Sequence, residues 1–277
     1  MKPRIFGLVL LVFLSRGFLS GQRADSNSEL QLGVASLDQG EYEKAVKYLE
    51  QAVAAAPESI DTHVYLARAC AGLYVGSPSA DYDDYKRPPL TCAIQEYNTA
   101  LQLDAGNTEA LNGLGYVYTT VKDWNRAESC YRRAIEADPH NFEALYTLGT
   151  VLWVQVSKDR LEARESLRIG NRDKLIDRSS CVELRAKNLG RIDEALSLFK
   201  TALRNRDSSH AMGYVSRLYR ERAELDCRDK SAYERDIAAA HDWELGACAA
   251  KDTTLPERCP PGPPLSSVRG CPRPTRR

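Results

Sequence analysis

The sequence predicts an all-α fold of stacked helix pairs, and three observations carry that prediction. Small and large apolar residues recur at the 34-residue period typical of helix-turn-helix repeats. Each copy resolves into two apolar stripes spaced three and four residues apart, one per helix. In the clearest copies a proline then stops the second helix, since its ring cannot continue the hydrogen-bond ladder.

The clearest copy runs from Thr108 to Asn141. Leu111, Leu114, Gly115 and Tyr118 share one face of its first helix, and Trp124, Ala127, Tyr131 and Ala134 one face of its second; Pro139 closes it. Gly115, Ala127 and Ala134 are small where paired helices must approach, and the aromatics fill the space between. The same register holds from Ser26 to Ser59 through Leu32, Gly33, Gly40, Tyr42, Ala45, Leu49, Ala52 and Pro57. A second pair opens with Leu66, Ala67 and Cys70 and is completed by Ala93, Tyr97 and Ala100, with an insertion at residues 75–89 between its helices.

A fourth pair opens with Leu145, Leu148 and Gly149, and its second helix carries Ala195, Phe199 and Ala202. The excess between them, residues 156–189, is as long as a whole repeat. Reading it as one would put Glu183 at the tight small-residue position, and Leu161 and Arg168 where alanines belong, so it is read as a second insertion. Leu161, Ala163, Glu165 and Leu167 predict one short helix within it. Ser180 and Glu183 form a capping box, which predicts a long helix starting near Cys181. A degenerate fifth pair follows over Ser208–Asp226 and Ser231–Ala250. The repeats thus fall at 26–59, 60–107, 108–141, 142–207 and 208–250, within a repeat region spanning 22–250.

The ends differ in composition. Lys2 and Arg4 precede an apolar run from Ile5 to Leu14, and Leu19-Ser20-Gly21 offers small residues before Gln22. This is the plan of a cleavable signal peptide over residues 1–21, too short to span a bilayer. The expected destination is outside the cytoplasm, in a periplasm or secreted, with no membrane span left after cleavage. Residues 251–277 are proline-rich and lack helical periodicity, so a disordered tail is expected there.

Charge argues against one class of partner. Lys plus Arg and Asp plus Glu are equal at 38 each, so no basic surplus points to a nucleic acid. Catalytic patterns are also missing: no H-E-x-x-H, G-x-S-x-G or phosphate-loop motif occurs. His63, His140, His210 and His241 have no Cys or carboxylate at ligand spacing. Asp81, Asp83 and Asp84 lack the glycine and glutamate of a calcium loop, and Gly113-Leu114-Gly115 lies inside a repeat helix. Neither catalysis, nor a metal, nor a cofactor is expected. Of the eight cysteines, Cys70 and Cys92 flank the first insertion. Either they form a disulfide that staples it, or Cys70 is a small core residue. Cys227 and Cys248 are expected to lie too far apart to pair, and Cys259 and Cys271 either pair or stay free.

Residues 26–250 resemble the tetratricopeptide-repeat (TPR) superfamily, most closely over 26–59 and 108–141. The resemblance implies a right-handed TPR solenoid of five helix pairs with two inter-helix insertions. The second half is similar to a group of exported bacterial repeat proteins through Trp153, Leu161-Glu162-Ala163-Arg164, Glu183-Leu184-Arg185-Ala186-Lys187-Asn188 and Leu218-Tyr219-Arg220-Glu221-Arg222-Ala223. In the superfamily, defined positions of each first helix line a concave groove. Transferred to this chain they include Val64, Arg68, Glu109, Asn112, Tyr116, Thr119, Glu143, Tyr146, Thr150, Trp153, Met212, Ser216 and Tyr219. Tyr116, Tyr146 and Trp153 are expected to form an aromatic patch with Asn112 and Arg68 beside it. Leu30 and Val34 stand where the superfamily's carboxylate clamp needs Lys and Asn, so that clamp is absent in this register. The function implied is a scaffold that binds a protein or peptide. The alternatives are a glycan-binding protein, which needs the three aromatics exposed and coplanar, and an enzyme whose site the insertions assemble.

Overall fold

A computed structural model describes residues 27–75, 88–168, 178–227 and 229–251. The expected signal peptide, the acidic stretch Asp81–Asp84, and Cys259 and Cys271 lie outside these residues. The described residues form ten helices and no strand. They are α1 (27–38), α2 (Tyr42–Ala55), α3 (Ile60–Val75), α4 (Pro88–Leu103), α5 (Thr108–Thr120), α6 (Trp124–Ala137), α7 (Phe142–Ser166), α8 (Arg178–Asn205), α9 (Ser209–Glu224) and α10 (Lys230–Lys251). No helix among the described residues is long and apolar enough to cross a membrane.

Several helices begin where a side chain can satisfy an orphan backbone donor. Asn107 Oδ1 accepts the Ala110 N–H at 2.9 Å, Asn141 Oδ1 that of Ala144 at 2.9 Å, and Asp229 Oδ1 that of Ala232 at 2.9 Å. Asp123 and Ser208 cap α6 and α9 in the same way.

The chain divides into two compact units, the first ending at Ala144 and the second starting at Leu145. In the first unit α2 packs on α3, α3 on α4, α4 on α5, and α5 on α6. Close approach within a pair depends on a glycine. A Cβ on Gly33 of α1 would sit 2.5 Å from Leu49 Cγ of α2, and one on Gly115 of α5 would sit 2.7 Å from Tyr131 Cζ of α6. The alanines of the second helices, Ala45, Ala52, Ala93, Ala100, Ala127 and Ala134, are all at 0% exposure, so the helices meet along those stripes.

The turn inside the pairs also repeats. Gly40 has φ +73° between α1 and α2, and Lys122 has φ +59° at the corresponding place between α5 and α6. In both, the left-handed residue donates its N–H three residues back (Gly40 to Leu37 O at 2.9 Å, Lys122 to Thr119 O at 3.0 Å). The following N–H reaches five residues back, Glu41 to Ser36 O and Asp123 to Tyr118 O, both at 2.9 Å. Glycine adopts this conformation freely, whereas lysine pays for a Cβ clash.

In the second unit α8 packs on α9 and α9 on α10, and Gly149 of α7 lies under Phe199 of α8. Here the expected insertion takes a different form. No separate short helix occurs at 161–167, because α7 runs on to Ser166; the long helix expected from near Cys181 is present as α8, described from Arg178, so that Ser180 and Glu183 lie inside it. Both helices of the fourth pair are simply lengthened. Leu161 is 46% exposed and the fully buried residue is Arg164, at 2%. The extensions are held by charge: Arg160 donates to Glu221 at 2.7 Å, Arg164 to Glu224 at 2.8 Å, and Arg185 to Leu225 O at 2.8 Å.

Two disulfides are present among the described residues. Cys70–Cys92 joins α3 to α4 across the first insertion, with Cα atoms 5.9 Å apart. Cys181–Cys227 joins the start of α8 to the α9–α10 turn, with Cα atoms 5.6 Å apart. The second pairing is not one the sequence suggested, because nothing local to Cys181 says that the α9–α10 turn lies beside it. Cys248 is free, and so is Cys130, which is buried and whose thiol burial pushes up to about 11.

Gly115→Ala is expected to destabilise the protein by about 1–3 kcal/mol in urea unfolding, because Tyr131, 1% exposed, cannot move aside. Gly190→Ala, in open space on α8, is expected to stabilise it by about 1 kcal/mol. At the repeated turn, Lys122→Gly should add about 0.5–1 kcal/mol by relieving the left-handed backbone, read as a raised urea midpoint with unchanged slope.

Candidate functional site

Three first helices of successive pairs contribute to one groove in the first unit. Asp38 comes from α1, Arg68 from α3, and Glu109, Asn112 and Tyr116 from α5; Glu143 stands at the start of α7. The groove has a volume of about 560 Å³. Tyr42 and Tyr97, from second helices, complete its wall. Tyr42 lies over Gly72 and Tyr97 over Gly113, and a Cβ on either glycine would overlap the ring. Gly113 is therefore a packing position that admits the Tyr97 ring to the groove. Burial pushes the Tyr97 phenol well above its usual range, so its hydroxyl stays protonated and available as a donor.

Arg68, Asn112 and Tyr116 line this groove together. Arg68 pairs with Glu109 at 3.3 Å, both side chains being about half exposed. Tyr116 is 49% exposed, whereas Asn112 is only 6% exposed. Asn112 Nδ2 donates to Asn141 Oδ1 at 3.2 Å, and that oxygen also accepts the Ala144 N–H, which fixes the orientation of the Asn112 amide. Its Oδ1 is left without a hydrogen-bond partner. Thr119 spends its hydroxyl on Gly115 O at 2.9 Å, and Val64 is buried at 2% exposure; neither lines the groove.

The remaining predicted residues belong to the second unit. Tyr146 and Trp153 meet there around Tyr214, a residue with no role in the sequence reading. Tyr146 approaches Tyr214 edge-on at 5.8 Å and 79°, and Trp153 does so at 5.2 Å and 70°. Phe199 stacks flat on Tyr214 at 5.2 Å, and the Arg217 guanidinium lies over both Tyr214 and Trp153. Edge-on rings around a central one form a packed cluster. The signal for Tyr214 was its place in the register, where the earlier pairs carry Leu66, Leu114 and Leu148. Thr150 donates to Tyr146 O at 3.0 Å within its own helix. Tyr219 accepts from Lys200 Nζ at 2.9 Å and lies between Lys200 and Arg222.

One of the four histidines is committed to structure. His63, 5% exposed, lies between Glu96 Oε2 at 2.6 Å and Pro57 O at 2.9 Å. Among the described residues no group of His, Cys, Asp and Glu is placed to hold a metal ion.

Residues 108–141 match the family described as tetratricopeptide repeat, and residues 27–69 match a second family of the same description. Among solved structures the chain is similar to the crystal structure of MamA protein, at 15% identity and TM-score 0.52, covering 84% of this chain and 98% of that one. It is also similar to the first TPR domain of human RPAP3, at 21% identity and TM-score 0.42, covering 49% of this chain and 96% of that one. No curated protein matches the sequence.

One buried acid in the second unit gives a pH test. Burial pushes the Glu221 carboxyl above its ordinary value of 4.5, against the opposing pull of Arg160 and Ser157. The folded state then holds that proton to higher pH than the unfolded chain. The Glu221 contribution to stability is therefore present at low pH and declines as pH rises from 4.5 through the raised folded value. Glu221→Gln, which cannot titrate, should flatten the pH dependence of stability in that window. Urea unfolding of both proteins across it checks this.

Proposed function

We propose that this chain, which carries tetratricopeptide repeats, is a non-catalytic scaffold whose first-helix groove binds an extended segment of a protein or peptide. The observation that carries the reading is the groove itself. Side chains from α1, α3 and α5 converge on one concavity, with an exposed tyrosine over a buried amide. Tyrosine supplies a large contact area at low entropic cost and is enriched where interfaces concentrate their binding energy. The side chains stand on rigid helices, so little conformational freedom is lost on binding. Export fits the same reading: the N-terminal pattern of residues 1–21 and the Cys70–Cys92 and Cys181–Cys227 bonds are both at home in an oxidising compartment.

Affinity capture from a cell-envelope extract tests the groove. A partner held by the wild type should be weakened by about 2 kcal/mol with Tyr116→Ala, a size typical of a truncated interface tyrosine. The edge of the Tyr146–Trp153–Tyr214 cluster serves as the comparison: equal loss with Arg217→Ala and none with Tyr116→Ala would move the site to the second unit. Retention by both variants would sink the groove reading. Cell fractionation with N-terminal sequencing tests export, for which a mature chain starting at Gln22 is expected.

A further inference from the structure

The groove of the first unit asks for a ligand of one polarity. Among the described residues its charged lining consists of three carboxylates, on Asp38, Glu109 and Glu143, against the guanidinium of Arg68. Arg68 is already shared with Glu109 at 3.3 Å. Asp38 and Glu143 have no ion-pair partner among the described residues. A second, independent feature has the same sign. Asn112 is 94% buried, since its exposure is 6%, and its amide cannot turn because Asn141 Oδ1 must be met by a donor. The group left unpaired is consequently an acceptor, Oδ1. A buried amide oxygen without a partner is costly, and its partial negative charge adds to that of the carboxylates.

We propose that the groove selects an extended peptide segment bearing Lys or Arg, and that Asp38, Glu109 and Glu143 read its positive charge. This rests on the groove reading given above and adds the class of ligand. An acidic segment would meet two unpaired carboxylates and an unpaired carbonyl, which complementarity disfavours. A basic one brings donors to each carboxylate. Arg68 is then a competitor for Glu109, so its removal should help binding.

The experiment selects random phage-displayed peptides on the full-length protein and, in parallel, on Tyr116→Ala. Peptides recovered on the wild type but not on Tyr116→Ala should be enriched in Lys and Arg. Synthesised and titrated, they should weaken about tenfold against the Asp38→Asn, Glu143→Gln double variant, and weaken again as salt is raised. With Arg68→Ala they should tighten severalfold. All four positions are exposed, so these variants keep the fold. Groove-dependent peptides that are neutral or acidic, or that lose affinity with Arg68→Ala, overturn the proposed ligand class and leave the groove standing. If no selected peptide distinguishes the wild type from Tyr116→Ala, the groove reading itself fails, and the ligand class with it.

Discussion

In three of the helix pairs a large side chain of the second helix lies on a glycine of the first: Leu49 on Gly33, Tyr131 on Gly115 and Phe199 on Gly149. The contact sets how closely the two helices can approach. Once that distance is short, only alanine fits along the rest of the seam, which is why Ala127, Ala134, Ala195 and Ala202 have no exposed surface. Interiors of this density tolerate neither an extra methyl nor a missing one. The outward faces of α1, α3 and α5 are freed from packing by the same arrangement, so they can carry the groove. Where glycine gives way to Ala67 in the second pair, the ring tip of Tyr97 reaches Gly113 of the next pair.

The second unit is built on another principle. Its lengthened helices bring Arg164 into the interior beside Glu224, and Glu221 against Arg160 and Ser157. Arg222 makes two bonds to Asp236 at 2.8 and 2.7 Å and a third to Asp193 at 2.9 Å. Pairs of this kind add little net stability over an apolar core, because both charges lose their water. They do penalise any arrangement that leaves one partner alone. Charge therefore fixes how the extensions of α7 and α8 seat on the end of α9, and the Cys181–Cys227 bond holds the same corner.

The groove contrasts with that corner. Arg68 and Glu109 form an exposed pair, weak by the usual measure of surface ion pairs, and Tyr116 stands half in solvent. Little has to be broken for a ligand to engage them. The rigidity comes from beneath, where Leu111, Leu114 and Val117 anchor α5 at no more than 3% exposure. A firm backbone carrying loosely tied side chains is the condition under which a binding face loses least entropy on association.

What could be read from the sequence was everything set by contacts within one repeat. Glycine and alanine at fixed spacing mark helices that must touch, and Pro57 and Pro139 mark where second helices have ended. Those local rules located the paired helices, and the family resemblance, not the rules themselves, implied that Arg68, Asn112 and Tyr116 share a groove. Contacts between sequence-distant elements had no such code. Nothing in Leu161 to Leu167 said that Arg164 would be the buried residue, since an arginine enters a core only when a distant carboxylate such as Glu224 meets it. Cys181 likewise carries no local sign that the α9–α10 turn, with Cys227, lies beside it. Tyr214 drew Tyr146 and Trp153 edge-on around itself because an aromatic occupies a leucine position against Phe199. Helix period and close approach are properties of neighbouring residues, and one sequence suffices for them. Burial of charge, cross-linking and ring geometry depend on which partners the fold delivers, and those only the tertiary structure decides.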